Sequence, residues 1–111
     1  MNRIRWAMMI VLMGLSASPA FAVYNDNISG VLTDVLVYAD GDFILFRLSN
    51  QPSHPVCDPS FFAIDPNIPE TRRNQLFARL LAAQASGEPV NIGYDNKGDC
   101  AVGYIRAHRV G

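Results

Sequence analysis

Only one stretch of this chain has helical spacing, and it lies between two sets of strand-like runs. Leu76, Phe77, Leu80, Leu81 and Gln84 recur at mostly i+3/i+4 intervals, which predicts one apolar helix face. Pro69 suits a first helical turn, and Glu70 suits its positive end. Gly87 is a good residue just past the last turn, and Pro89 prevents continuation. Ala82, Ala83 and Ala85 favour helix and permit close approach. The expected helix is Pro69 through Ser86, with Arg72, Arg73 and Arg79 at polar positions.

The rest reads as strands. Ile28–Tyr38 (ISGVLTDVLVY) is long and rich in β-branched residues. Both of its faces are largely apolar apart from Asp34, so it is expected to be covered on both sides or to lie at a subunit contact. Asp40-Gly41 is a hairpin signature, and Asp42–Leu48 is the second strand. Ser49–Ser60 contains Pro52, Pro55 and Pro59, which cannot donate to a ladder, so it is expected to be a loop. Phe61–Ile64 is a short third strand, followed by turn chemistry at Asp65-Pro66-Asn67. Pro89–Tyr94 is the fourth, with Val90, Ile92 and Tyr94 on a buried face. Cys100–Val110 is the fifth. The fold class is therefore mostly β with one helix, in the order β-β-β-α-β-β. That connectivity is that of a five-stranded OB-fold-like barrel closing on itself, with the helix plugging one end. An open α+β sandwich is the rival arrangement.

The N-terminus reads as an export signal. Arg3 and Arg5 precede the apolar run Trp6–Leu15, and Ala20-Phe21-Ala22 is an A-x-A cleavage site. The run is shorter than the ~20 residues that span a bilayer. Cleavage between Ala22 and Val23 is expected, dividing the chain into a 1–22 signal peptide and a single 23–111 domain with no membrane span. Of the 9 basic and 10 acidic residues, 7 basic and all 10 acidic lie in the domain, so its net charge is −3. A weakly acidic body lacks the clustered Lys/Arg that nucleic acid requires. Export places the product in the periplasm or outside the cell, where disulfides persist. Cys57 and Cys100 are the only thiols, so a single internal pairing exists, and a structural disulfide between them is expected. Closing that loop stabilises by up to about 4 kcal/mol in the chain-entropy model.

No catalytic constellation is found. The chain has no G-x-S-x-G, H-E-x-x-H, P-loop or G-x-G-x-x-G motif. His54 is expected to be an exposed loop residue, and His108, between Arg106 and Arg109, to be solvated or hydrogen-bonded at a barrel rim. Asp95-Asn96-Lys97-Gly98-Asp99 resembles a calcium loop only superficially. Lys97 stands where an oxygen ligand is wanted, and Arg106 where an EF-hand has Glu. It reads as a turn, and no metal or cofactor is called for. Asn27-Ile28-Ser29 fits a glycosylation sequon, a match frequent by chance. Arg72, Arg73 and Arg79 form a small basic patch, read as a solvated face with contact to an acidic partner as the functional alternative.

Leu80–Tyr94 (LLAAQASGEPVNIGY), followed by Cys100, resembles the helix-to-strand passage of AB5-toxin B subunits, nearest the subtilase-cytotoxin and pertussis-like branch. The resemblance implies an exported, disulfide-bonded OB-fold that binds host glycans and assembles as a ring with this helix facing the pore. It places no binding residue on this chain; without a tryptophan in the domain, Tyr38, Tyr94 and Tyr104 are the candidates to stack on a sugar. The expected function is a small exported module binding glycan or a protein partner, possible ring oligomer included, and not an enzyme. The alternatives are a monomeric periplasmic domain with an envelope or stress role, and a small hydrolytic enzyme.

Overall fold

A computed structural model describes residues 24–111; the expected signal peptide and its expected Ala22/Val23 cleavage junction lie outside them. Eight short strands and one helix follow in the order β1 (Asp26–Gly30), β2 (Leu32–Val37), β3 (Ile44–Leu48), β4 (Asp58–Ile64), α1 (Glu70–Ser86), β5 (Val90–Tyr94), β6 (Cys100–Ala101), β7 (Tyr104–Arg106) and β8 (Arg109–Val110). They form two sheets, a three-stranded one ordered β1-β5-β8 and a five-stranded one ordered β2-β3-β4-β7-β6. The domain is thus mostly β with one helix, as expected. The strands do not close into one continuous barrel ladder.

Two bends account for this. The expected first strand breaks at Val31, so that β1 pairs with β5 while β2 pairs with β3. At the break the Val31 carbonyl accepts from Ser49 N–H at 2.8 Å. The expected last strand breaks twice. Val102-Gly103 turns β6 back onto β7, and between β7 and β8 the Ala107 N–H donates to Ala63 O (2.9 Å) while His108 N–H donates to Gly93 O (2.8 Å). The chain therefore crosses between the sheets at Val31 and again at Ala107–His108.

The third strand begins three residues earlier than expected, inside the proline-rich stretch. Asp58 N–H donates to Gly103 O at 2.9 Å, drawing this end alongside β7 in the only parallel pairing among the described residues. Pro59 is tolerated because the ladder is irregular between Asp58 and Phe62, where its missing N–H is not needed.

The main core lies between the inner faces of the sheets and the helix. Phe46 and Phe62 stack with centroids 5.4 Å apart, and Tyr94 meets Phe62 edge-on at 5.4 Å. Ile44, Leu48, Ile64, Val90, Ile92 and Ile105 complete it. The helix inserts Leu80, with no exposed surface, and Ala83. Leu76 and Phe77 pack as half-buried partners. Leu81 is 44% exposed and Gln84 is exposed, so the buried stripe is narrower than the spacing predicted, with Ala83 rather than Gln84 continuing it. Pro69 is the N-cap, and Gly87 closes the helix at φ 75°, donating its N–H to Ala83 O.

The Cys57–Cys100 disulfide is present. It joins the buried end of the proline-rich loop to β6. Both strand β5 and the second sheet are thereby linked, through short connections, to the same crosslink.

Candidate functional site

The two sheets differ on their outer faces. That of the three-stranded sheet is polar and satisfied from within. Arg109 donates to Asn27 and Asn91 across three strands and, from Nε, to the Tyr24 hydroxyl at 3.1 Å; Asn91 in turn donates to Ser29 Oγ at 2.8 Å. The sequon residue Asn27 is held in this network. Tyr24 lies against Gly93, where a β-carbon would come within 2.6 Å of its ring, and stacks on His108 at 5.7 Å.

The outer face of the five-stranded sheet is aromatic. Strand alternation and register place Leu36, Leu45 and Ala63 in one cross-strand row. Leu45 and Ala63 are buried with Ala101 in a cluster to which, among the described residues, neither the helix nor the three-stranded sheet contributes. They are covered by rings: Phe43, Phe61 and Tyr104, each half-buried, with Leu36. Phe61 and Tyr104 meet edge-on at 5.9 Å, the Arg47 guanidinium lies 5.6 Å from the Phe61 centroid, and Tyr38, 44% exposed, packs on Phe43 at 5.0 Å. Of the three tyrosines singled out in the sequence, Tyr38 and Tyr104 meet solvent on this face. Tyr94 does not: it is only 5% exposed in the core, its hydroxyl directed to Asp26 at 3.4 Å. Burial, with the Asp26 charge, pushes the Tyr94 phenol above its ordinary value. Phe43 and Phe61 were legible in the sequence as strand residues; the outward direction of their rings was not.

A second cluster sits beside the helix. Arg106 donates to Asp65, to Asp99 Oδ1 (2.8 Å) and to Cys100 O (3.0 Å). His108 Nε2 contacts the other oxygen of Asp99. Partial burial pushes the Asp65 carboxyl up, but the Asn67 N–H and the Arg106 guanidinium outweigh it and hold it below its ordinary value. Asp99 behaves likewise: burial raises it, and His108 and Arg106 together bring it lower. His108 is therefore half-buried and hydrogen-bonded, in line with one of the two expectations for it.

His54 is not an exposed loop residue. It is half-buried, its Nδ1 accepts from the N–H groups of Val56 (3.2 Å) and Cys57 (3.0 Å), and its Nε2 faces Asp95 O at 2.9 Å. With Nδ1 accepting, the proton is on Nε2, which donates to that carbonyl. His54 thus pins the proline-rich loop to the 95–99 turn. In that turn Asp95 Oδ1 accepts from Lys97 and Gly98 N–H, so its carboxylate serves the turn itself. The Arg72/Arg73/Arg79 patch divides: Arg73 turns back to the Pro66 and Ile68 carbonyls, while Arg72 and Arg79 remain exposed. Among the described residues no group of three or more His, Cys, Asp or Glu is gathered to hold a metal, and no helix is long and apolar enough to cross a membrane.

No family model, no curated protein and no solved structure matches this chain.

Proposed function

We propose that this protein is an exported binding module that takes a glycan or a protein partner on the aromatic outer face of its five-stranded sheet. The single observation that carries the reading is the layer of Phe43, Phe61, Tyr104 and Tyr38, half-buried to exposed among the described residues, with Arg47 beside it. Half-buried and exposed rings next to a guanidinium offer stacking and hydrogen bonding at low conformational cost. The polar face of the smaller sheet offers nothing comparable, since its donors and acceptors are already paired with one another.

The architecture reads as a partly open Greek-key barrel of the OB type. Supporting this, β1 with β2 count as one bent first strand and β7 with β8 as one bent fifth. The pairing order is then first, second, third, fifth, fourth and back to the first, with the third and fifth parallel. Export to the periplasm or beyond follows from the signal sequence and agrees with a disulfide that needs an oxidising compartment. The resemblance to AB5-toxin B subunits points the same way and adds the possibility of a ring.

A glycan array probed with the oxidised protein, wild type and Tyr38→Ser/Tyr104→Ser, tests the site. Retention on a defined sugar that the double variant loses without a change in melting temperature supports the reading. Retention that survives both substitutions moves the site elsewhere. Absence of retention on every sugar removes the glycan half and leaves a protein partner. Native mass spectrometry decides the ring: a closed oligomer favours the toxin-like arrangement, and a monomer at all concentrations favours a single periplasmic domain.

A further inference from the structure

A groove of about 640 Å³ runs between α1 and the segment that links β7 to the end of β8. That volume is in the range of small-molecule sites, roughly 300–1,000 Å³. None of the aromatic residues of the five-stranded sheet lines it, so a ligand held here is independent of one held on that sheet.

The groove has an apolar floor and two unlike walls. Ile68, Leu76, Ala107 and Val110 form the floor. One wall holds Asp65, Asp99, Arg106 and His108: Arg106 donates to both carboxylates, and His108 contacts Asp99. The other wall is the helix stripe Arg72, Gln75 and Arg79, spaced i, i+3 and i+7 so that all three share one face with Leu76 of the floor. Among the described residues Arg72 and Arg79 have neither an ion pair nor a side-chain hydrogen bond. The helix carries three arginines against Glu70, in a domain with 7 basic and 10 acidic residues, net −3. Positive charge in this acidic protein is thus gathered along one side of an apolar groove.

We infer that the groove binds a small amphipathic carboxylate, its hydrocarbon on the floor and its carboxylate on Arg72 and Arg79. The planar guanidinium fork matches a carboxylate in two-point geometry. Both carboxylates here already accept from Arg106, and a neutral apolar ligand leaves Arg72 and Arg79 unused. A polynucleotide needs more phosphate contacts than two arginines supply beside two aspartates.

Decanoate, decan-1-ol and decyltrimethylammonium, titrated into the isotope-labelled oxidised protein and followed by NMR, test this. Decanoate is expected to give saturable shifts at the Ile68, Leu76 and Val110 methyl groups. Decanol is expected to bind roughly tenfold or more weakly, the loss of one charge-assisted contact, and the ammonium compound not to saturate. Arg72→Gln/Arg79→Gln should weaken decanoate by a similar factor while leaving decanol binding and the melting temperature unchanged. Absence of saturable decanoate shifts, equal affinity for decanol, or decanoate binding unaffected by the double variant would each overturn the inference. Tyr38→Ser/Tyr104→Ser should leave decanoate binding as in the wild type, which separates this site from the aromatic face.

Discussion

The turn between β6 and β7 makes an unusual demand on a valine. Ala101 and Tyr104 are cross-strand partners, so Val102 and Gly103 alone form the connection. Their φ angles are 44° and 90°. A two-residue hairpin turn with both φ values positive is the setting in which Asn-Gly is preferred. Gly103 meets it freely, but a β-branched residue in the left-handed region is strained, at about 1–2 kcal/mol. Val102 is 47% exposed and belongs to neither core cluster, so removing its methyl groups forfeits about 0.5 kcal/mol of burial. Val102→Asn should therefore stabilise by about 0.5–1.5 kcal/mol. For a domain of this size that is a rise in melting temperature of about 2–12 °C. The control is Gly103→Ala: nothing lies within 4 Å of its β-carbon position, so its cost is purely conformational and should reach about 1 kcal/mol or more. Urea denaturation of the oxidised proteins followed by circular dichroism measures both. A Val102→Asn midpoint at or below that of wild type would refute the strain argument, and a neutral Gly103→Ala would mean the turn is not the one described.

Three other outcomes can be checked with the same assay. Leu80→Ala should cost about 2–5 kcal/mol because the side chain is fully buried; a change below half a kcal/mol would mean the helix packs through another face. Cys57→Ser or Cys100→Ser should lower stability by up to about 4 kcal/mol, and equal midpoints for mutant and oxidised wild type would remove the disulfide as a staple. Asp65 and Asp99 have folded values below the ordinary 3.8, so their contribution is complete above that value and is lost as pH falls through the lower folded values. Acid should thus destabilise wild type more steeply than Asp65→Asn below about pH 4; parallel acid profiles would show that the Arg106 network has no influence on folding.

Much of this domain follows from local chemistry. Pro69, Glu70, Gly87 and Pro89 bound the helix whatever surrounds it, because a proline's fixed φ and a glycine's access to positive φ are properties of single residues. Val90, Ile92 and Tyr94 alternate because a strand has a period of two, and two thiols admit one internal pairing. What only the tertiary structure decided is where neighbours approach. The first apolar run bends at Val31 because its halves find partners in different sheets, and the last run, expected as one strand, turns at Val102-Gly103. Period two assigns residues to faces but does not say which face is covered. Tyr94 is therefore buried while Tyr38 and Tyr104, on other strand-like runs, meet solvent. Likewise Arg73 is drawn to the Pro66 carbonyl while Arg72 and Arg79 are left along the groove. Burial and pairing are set by contacts between residues distant in sequence, and a local pattern carries no record of them.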